Sequence, residues 1–70
     1  MYITRFTTTE NTREDYFYHT LEEAKSHLHL FSDDDSGIYQ SIAVIDDDTG
    51  KEVITMQFID GVPQAPVMNC

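Results

Sequence analysis

YFYHTLEEAKSHLHLFSDDDSG, residues 16–37, is the stretch on which the fold turns. It opens with three aromatics, Tyr16, Phe17 and Tyr18, which read as the end of a strand. Thr20 followed by Glu23 is a capping box, and Glu22 and Glu23 stand on the positive end of a helix dipole. Leu21, Ala24, Leu28 and Phe31 recur at three- and four-residue spacing, so they form one apolar stripe that should pack on a sheet. Ser32 to Gly37 is a run of cap and turn formers, which stops the helix near residue 32. One short amphipathic helix therefore divides the chain.

Reading outward, YITRF is rich in β-branched and aromatic residues, TTENTRE is polar and turn-like, and DYFYH is again strand-like. Residues 2–8 and 15–19 should form a hairpin. Beyond the helix, GIYQSIAVID and KEVITMQFID are two further strands joined by DDTG, where Gly50 supplies a positive φ. The fold class expected is α+β: a ββαββ antiparallel sheet with one helix packed on one face. Residues 1–60 form the domain, and 61–70, with Pro63 and Pro66, form an extended tail.

One helix covers one face of a sheet. Alternation sends Ile38, Ile42 and Val44 one way and Tyr39, Ala43 and Ile45 the other. On the fourth strand Ile54, Met56 and Phe58 alternate with Val53, Thr55 and Ile59. Tyr39, Ala43, Ile45, Val53 and Ile59 are thus the expected dimer or partner face, because an uncovered apolar sheet face tends to be buried by a second subunit. The competing expectation is that the tail, through Val62, Val67 and Met68, folds over it.

Seventy residues make one domain with a small core, since a chain this short buries only about 60% of its unfolded surface. A composition that is 40% hydrophobic, with four Tyr and four Phe, argues against disorder. Thirteen acids against four bases give a net charge of −9. That sign excludes direct binding to nucleic acid or to an anionic membrane and favours a basic partner, a cation or no partner at all. No run of about 18 apolar residues and no signal-peptide pattern is present. The single cysteine, Cys70, permits no intrachain disulfide, so a reducing, cytoplasmic location is expected.

No residue pattern names a reaction. Asp33-x-Asp35-x-Gly37 and Asp46-x-Asp48-x-Gly50 resemble pieces of a calcium loop, but the glycines fall at position five and the twelfth positions are Val44 and Gln57, which do not ligate. His27 and His29 are two apart on a helix and face different sides, and His19 and Cys70 complete no zinc spacing. Phosphate loops, nucleophile elbows and HExxH are missing from the sequence. No enzyme, metal or cofactor is expected.

The acids remain. Most have a local reason, at a turn or in the first helical turn. Asp three times running at two turns nevertheless costs like-charge repulsion that Asn or Ser avoids. The expected contact set is Asp33, Asp34, Asp35, Asp46, Asp47 and Asp48, flanked by Glu10, Glu14 and Glu52. Carboxylates projecting from a sheet rim at every second residue, roughly 7 Å apart, approach the pitch of a phosphate row. Tyr16, Phe17, Tyr18 and Leu30 are further candidate contacts, set against a plain core role.

In size, acidity, sheet-plus-one-helix build and expected dimerisation the chain resembles phage-encoded small acidic inhibitors that mimic DNA, such as those directed at the nucleoid protein HU or at uracil-DNA glycosylase. The two aspartate runs and the apolar sheet between them carry that resemblance. It implies a homodimer that inhibits a basic DNA-binding host protein by occupying its DNA site. The alternative expectation is a small structural or accessory protein of a phage or mobile element, binding through its apolar sheet face with the acids serving solubility.

Overall fold

A computed structural model describes residues 1–69 of the chain; Cys70 lies outside the described residues. The elements run β1 (Tyr2–Thr8), β2 (Arg13–Tyr18), α1 (Leu21–His29), β3 (Tyr39–Asp46), β4 (Lys51–Ile59), β5 (Val62–Pro63) and β6 (Val67–Met68). The fold is α+β, as the sequence predicts: an antiparallel sheet in the order β2-β1-β3-β4-β5, with α1 between β2 and β3 in the chain. The tail does more than run alongside. Its two short strands, β5 and β6, both pair with β4 and so cover that edge of the sheet.

The helix begins where the capping residues place it. The Glu23 amide donates to Thr20 Oγ1 at 3.2 Å, and the Thr20 hydroxyl donates to Glu23 Oε1 at 3.1 Å. Ala24 and Leu28 are fully buried, with Leu21 and Phe31 partly buried beside them. They meet Phe6, Ile42, Val44, Ile54, Met56 and Phe58 from three strands. β2 starts two residues earlier than its aromatic run suggests. The cause is a tight turn, in which Thr8 N donates to Thr12 O at 2.9 Å and Asn11 adopts a φ of 65°.

Two register shifts reset the faces. Thr7 pairs with Ser41 but Thr8 with Tyr39, so Gln40 is an extra residue on β3. Val44 pairs with Ile54 but Ile45 with Glu52, so Val53 is extra on β4. A bulge breaks the alternation by one residue. Tyr39 and Val53, expected on the open face, accordingly pack against the core on the helix side. Ile38, expected in the core, is exposed.

Among the described residues Thr4 is the one buried polar side chain. Its hydroxyl donates to the Ala24 carbonyl at 2.9 Å and ties β1 to the helix. Thr4→Val keeps the shape and removes the bond, and is expected to cost about 1 kcal/mol in a urea titration.

His27 lies in an aromatic setting that its spacing from the other histidines does not suggest. Its ring stands 4.8 Å from Phe6 and 4.8 Å from Tyr16, centroid to centroid, and its Nδ1 is 2.7 Å from the Tyr18 hydroxyl. Desolvation by burial lowers its pKa below the ordinary 6.5. The unfolded chain then takes up the proton more readily than the folded one. The stability contributed by the neutral ring is complete above the unfolded value and is lost as the pH falls through the lowered folded value. The urea midpoint should therefore start to drop as the pH falls through the ordinary histidine range and go on dropping below it, and His27→Phe should remove that part of the dependence.

Candidate protein-binding surface

The two aspartate triplets sit at opposite ends of β3. Asp33 to Asp35 lie in the segment joining α1 to β3, and Asp46 to Asp48 lie at its far end, in the turn to β4. β3, eight residues and about 23 Å long at the usual rise per residue, runs between them. β3 is the central strand in the order β2-β1-β3-β4-β5, and its two ends are the poles at which the triplets stand.

Each pole is held by main-chain and side-chain hydrogen bonds. At one, Asp34 N donates to Phe31 O, Ser36 Oγ donates to the Asp34 carboxylate at 2.7 Å, and Gly37 takes a φ of 73°. Thr9 N donates to Ile38 O, which brings the turn bearing Glu10 to the same pole. At the other, Gly50 N donates to Asp46 O at 2.7 Å, Asp48 N to Asp46 Oδ1 at 3.0 Å, and Asp47 N to Met1 O. Glu52 pairs with Ile45 near this end. Glu14 belongs to neither pole. It lies on β2 opposite Phe6 and accepts a hydrogen bond from the Tyr16 hydroxyl at 3.1 Å, which raises the Tyr16 phenol pKa.

The predicted contact acids are thus gathered into two groups and not into one row along a rim. A side chain outside a strand does not follow its two-residue pitch; Asp33 to Asp35 lie in the segment before β3, and Asp47 and Asp48 in the turn after it. Glu10 lies toward the end of β3 that carries Asp33, Asp34 and Asp35, and Glu52 toward the end that carries Asp46, Asp47 and Asp48.

The field of these groups is barely compensated within the chain. Among the described residues the one ion pair is Arg5 with Asp15, where Nε meets Oδ1 at 2.8 Å and Nη2 meets Oδ2 at 3.1 Å. The hydrogen bond from Arg5 holds the Asp15 carboxyl below its usual range. Both side chains are about one-third exposed, so the pair adds little to stability.

The apolar candidates fare differently. Ile3, Ala43 and Ile45 form a second, small cluster on the face away from the helix and are already buried within one chain. Ala43 and Ile45 retain 6% and 7% exposure, so they leave almost nothing for a partner to cover. Ile59 is exposed at the end of β4, and Leu30 is exposed just after the helix. Tyr16 and Tyr18 contact His27 on the helix side, whereas Phe17 points away and is 59% exposed. A depression of about 410 Å³ between β4 and the tail is lined mainly by Glu52, Thr55, Gln57, Gln64 and Asn69, with no titratable cluster. Among the described residues no group of three His, Cys, Asp or Glu is placed to hold a metal ion. No helix among them is long and apolar enough to cross a membrane.

No protein-family model, curated protein or solved structure matches the chain.

Proposed function

We propose that this chain is an acidic protein that binds a basic DNA-binding protein, such as an HU-like nucleoid protein or a DNA-repair enzyme, and inhibits it by occupying its DNA site in the cytoplasm. The reading is supported above all by one observation. Of thirteen acids only Asp15 has an ion-pair partner among the described residues, and the two triplets stand at the two ends of the central strand, where hydrogen bonds hold Asp34, Asp46, Asp47 and Asp48. An uncompensated field of one sign attracts a protein of the other sign and speeds its approach. The carboxylates stand in for phosphates, each facing a Lys or Arg of the partner. With a triplet at each end of its central strand, the chain presents two separate anionic ends, and a basic groove engages one end or straddles both.

The test is a gel shift in which HU and a labelled duplex are held constant and the chain is added at low salt. Release of the duplex is the expected result. A duplex that stays bound to HU, and to other basic DNA-binding proteins, at a large excess of the chain overturns the reading.

A further inference from the structure

The two edges of the sheet are unlike. The β4 edge is covered by β5 and β6, whereas β2 pairs only with β1 among the described residues. All of β2 is exposed apart from the partly buried Tyr18. Its register with β1 is unbroken over six pairs, while the β1–β3 and β3–β4 ladders each carry a shift. It holds no proline and no glycine. An open, regular edge offers alternate amides and carbonyls to another strand, and β2 lacks the bulge, proline and cover that usually prevent this.

We infer that β2 is a docking edge for an extended basic segment of another protein, which adds to the sheet as a further strand. Two observations choose this occupant. The first is charge. On the edge Arg13 is offset by Glu14, and Asp15 is paired with Arg5, but Glu10 stands in the turn before it and the whole chain carries −9, so a cationic strand is drawn in while a second copy brings another −9 against it. The second is Phe17, more than half exposed on the face away from the helix, which gives the incoming strand an apolar contact at one position. Main-chain hydrogen bonds then hold the segment, and a cation across from Glu14 with an apolar residue across from Phe17 sets its register. The inference rests on the reading of the partner as basic, but it does not require the partner to bind DNA.

The probe is an alternating Lys–Val octapeptide, titrated into isotopically labelled chain at low salt and followed by amide NMR. A control peptide of the same charge is N-methylated at alternate residues, so that it cannot form the ladder. The expected result is shifts and slowed amide exchange along Arg13–Tyr18, with the methylated peptide binding at least about tenfold more weakly. Equal binding of the two peptides, or shifts confined to the aspartate turns, overturns strand addition while leaving the electrostatic function standing. Absence of binding overturns strand addition, and the duplex competition then decides the function separately. A free chain that sediments as a dimer with β2 amides already protected assigns the edge to a second copy and also overturns it.

Discussion

Phe6→Ala is expected to remove from about a third to all of the stability of the fold. Phe6 is 2% exposed and its ring meets four others: Tyr16, His27, Phe31 and Tyr39, at centroid distances of 5.6, 4.8, 4.8 and 5.5 Å. These rings come from β2, α1, the segment after α1, and β3, so the truncation opens a void where four parts of the fold converge. A buried Phe→Ala change costs about 3–5 kcal/mol. At 0.05–0.15 kcal/mol per residue, a domain of this length has only about 4–10 kcal/mol in total. The loss should be read as a collapse of the urea midpoint by circular dichroism. Phe17→Ala, in the same hairpin but facing solvent, should shift the midpoint little. Similar shifts for the two variants would mean that the packing around Phe6 is not as described.

Replacing one aspartate triplet with asparagines is expected to weaken binding to the basic partner roughly tenfold without loss of the fold. An exposed charge pair is worth up to about 1 kcal/mol, and three lost together give that order of change. Asparagine is the suitable replacement, because Asp46 and Asp34 accept hydrogen bonds within their turns and an amide oxygen can still do so. Neither triplet takes part in an ion pair among the described residues, so the substitution also removes like-charge repulsion. The melting temperature should hold or rise. Changing Asp33–Asp35 and Asp46–Asp48 in separate variants reports which pole makes contact. Equal losses mean that the partner straddles the molecule, and a loss from one alone identifies the working end. Unchanged binding with both triplets replaced would return the acids to a solubility role.

Much of this architecture is legible in the residues. The Thr20 cap, the Leu21–Ala24–Leu28–Phe31 stripe and the Ser32–Gly37 stop define the helix, and the helix divides the strands. The separation of the triplets is legible too, because any strand through IAVI carries its two ends apart. The faces of Tyr39 and Val53 are not legible. Each lies beside or at an inserted residue, and a bulge at Gln40 or Val53 has no compositional mark, so counting by twos fails past it. The pairing of the tail escapes for a different reason: two-residue strands are too short for any periodicity, and Pro63 argues against a strand. His27 did carry a signal, since it is three residues after Ala24 and four before Phe31, on the flank of the buried stripe. Weighing histidines by metal-ligand spacing passes over that position.

The central claim is electrostatic competition for a DNA-binding surface, and its most direct measurement is the concentration of chain needed to displace half of a fluorescent duplex from HU, taken across a salt series. At low salt the account predicts displacement at near-stoichiometric chain, with binding of the chain to HU weakening steeply as salt screens the carboxylates. Displacement that is absent at low salt, or chain binding that is indifferent to salt, would contradict it.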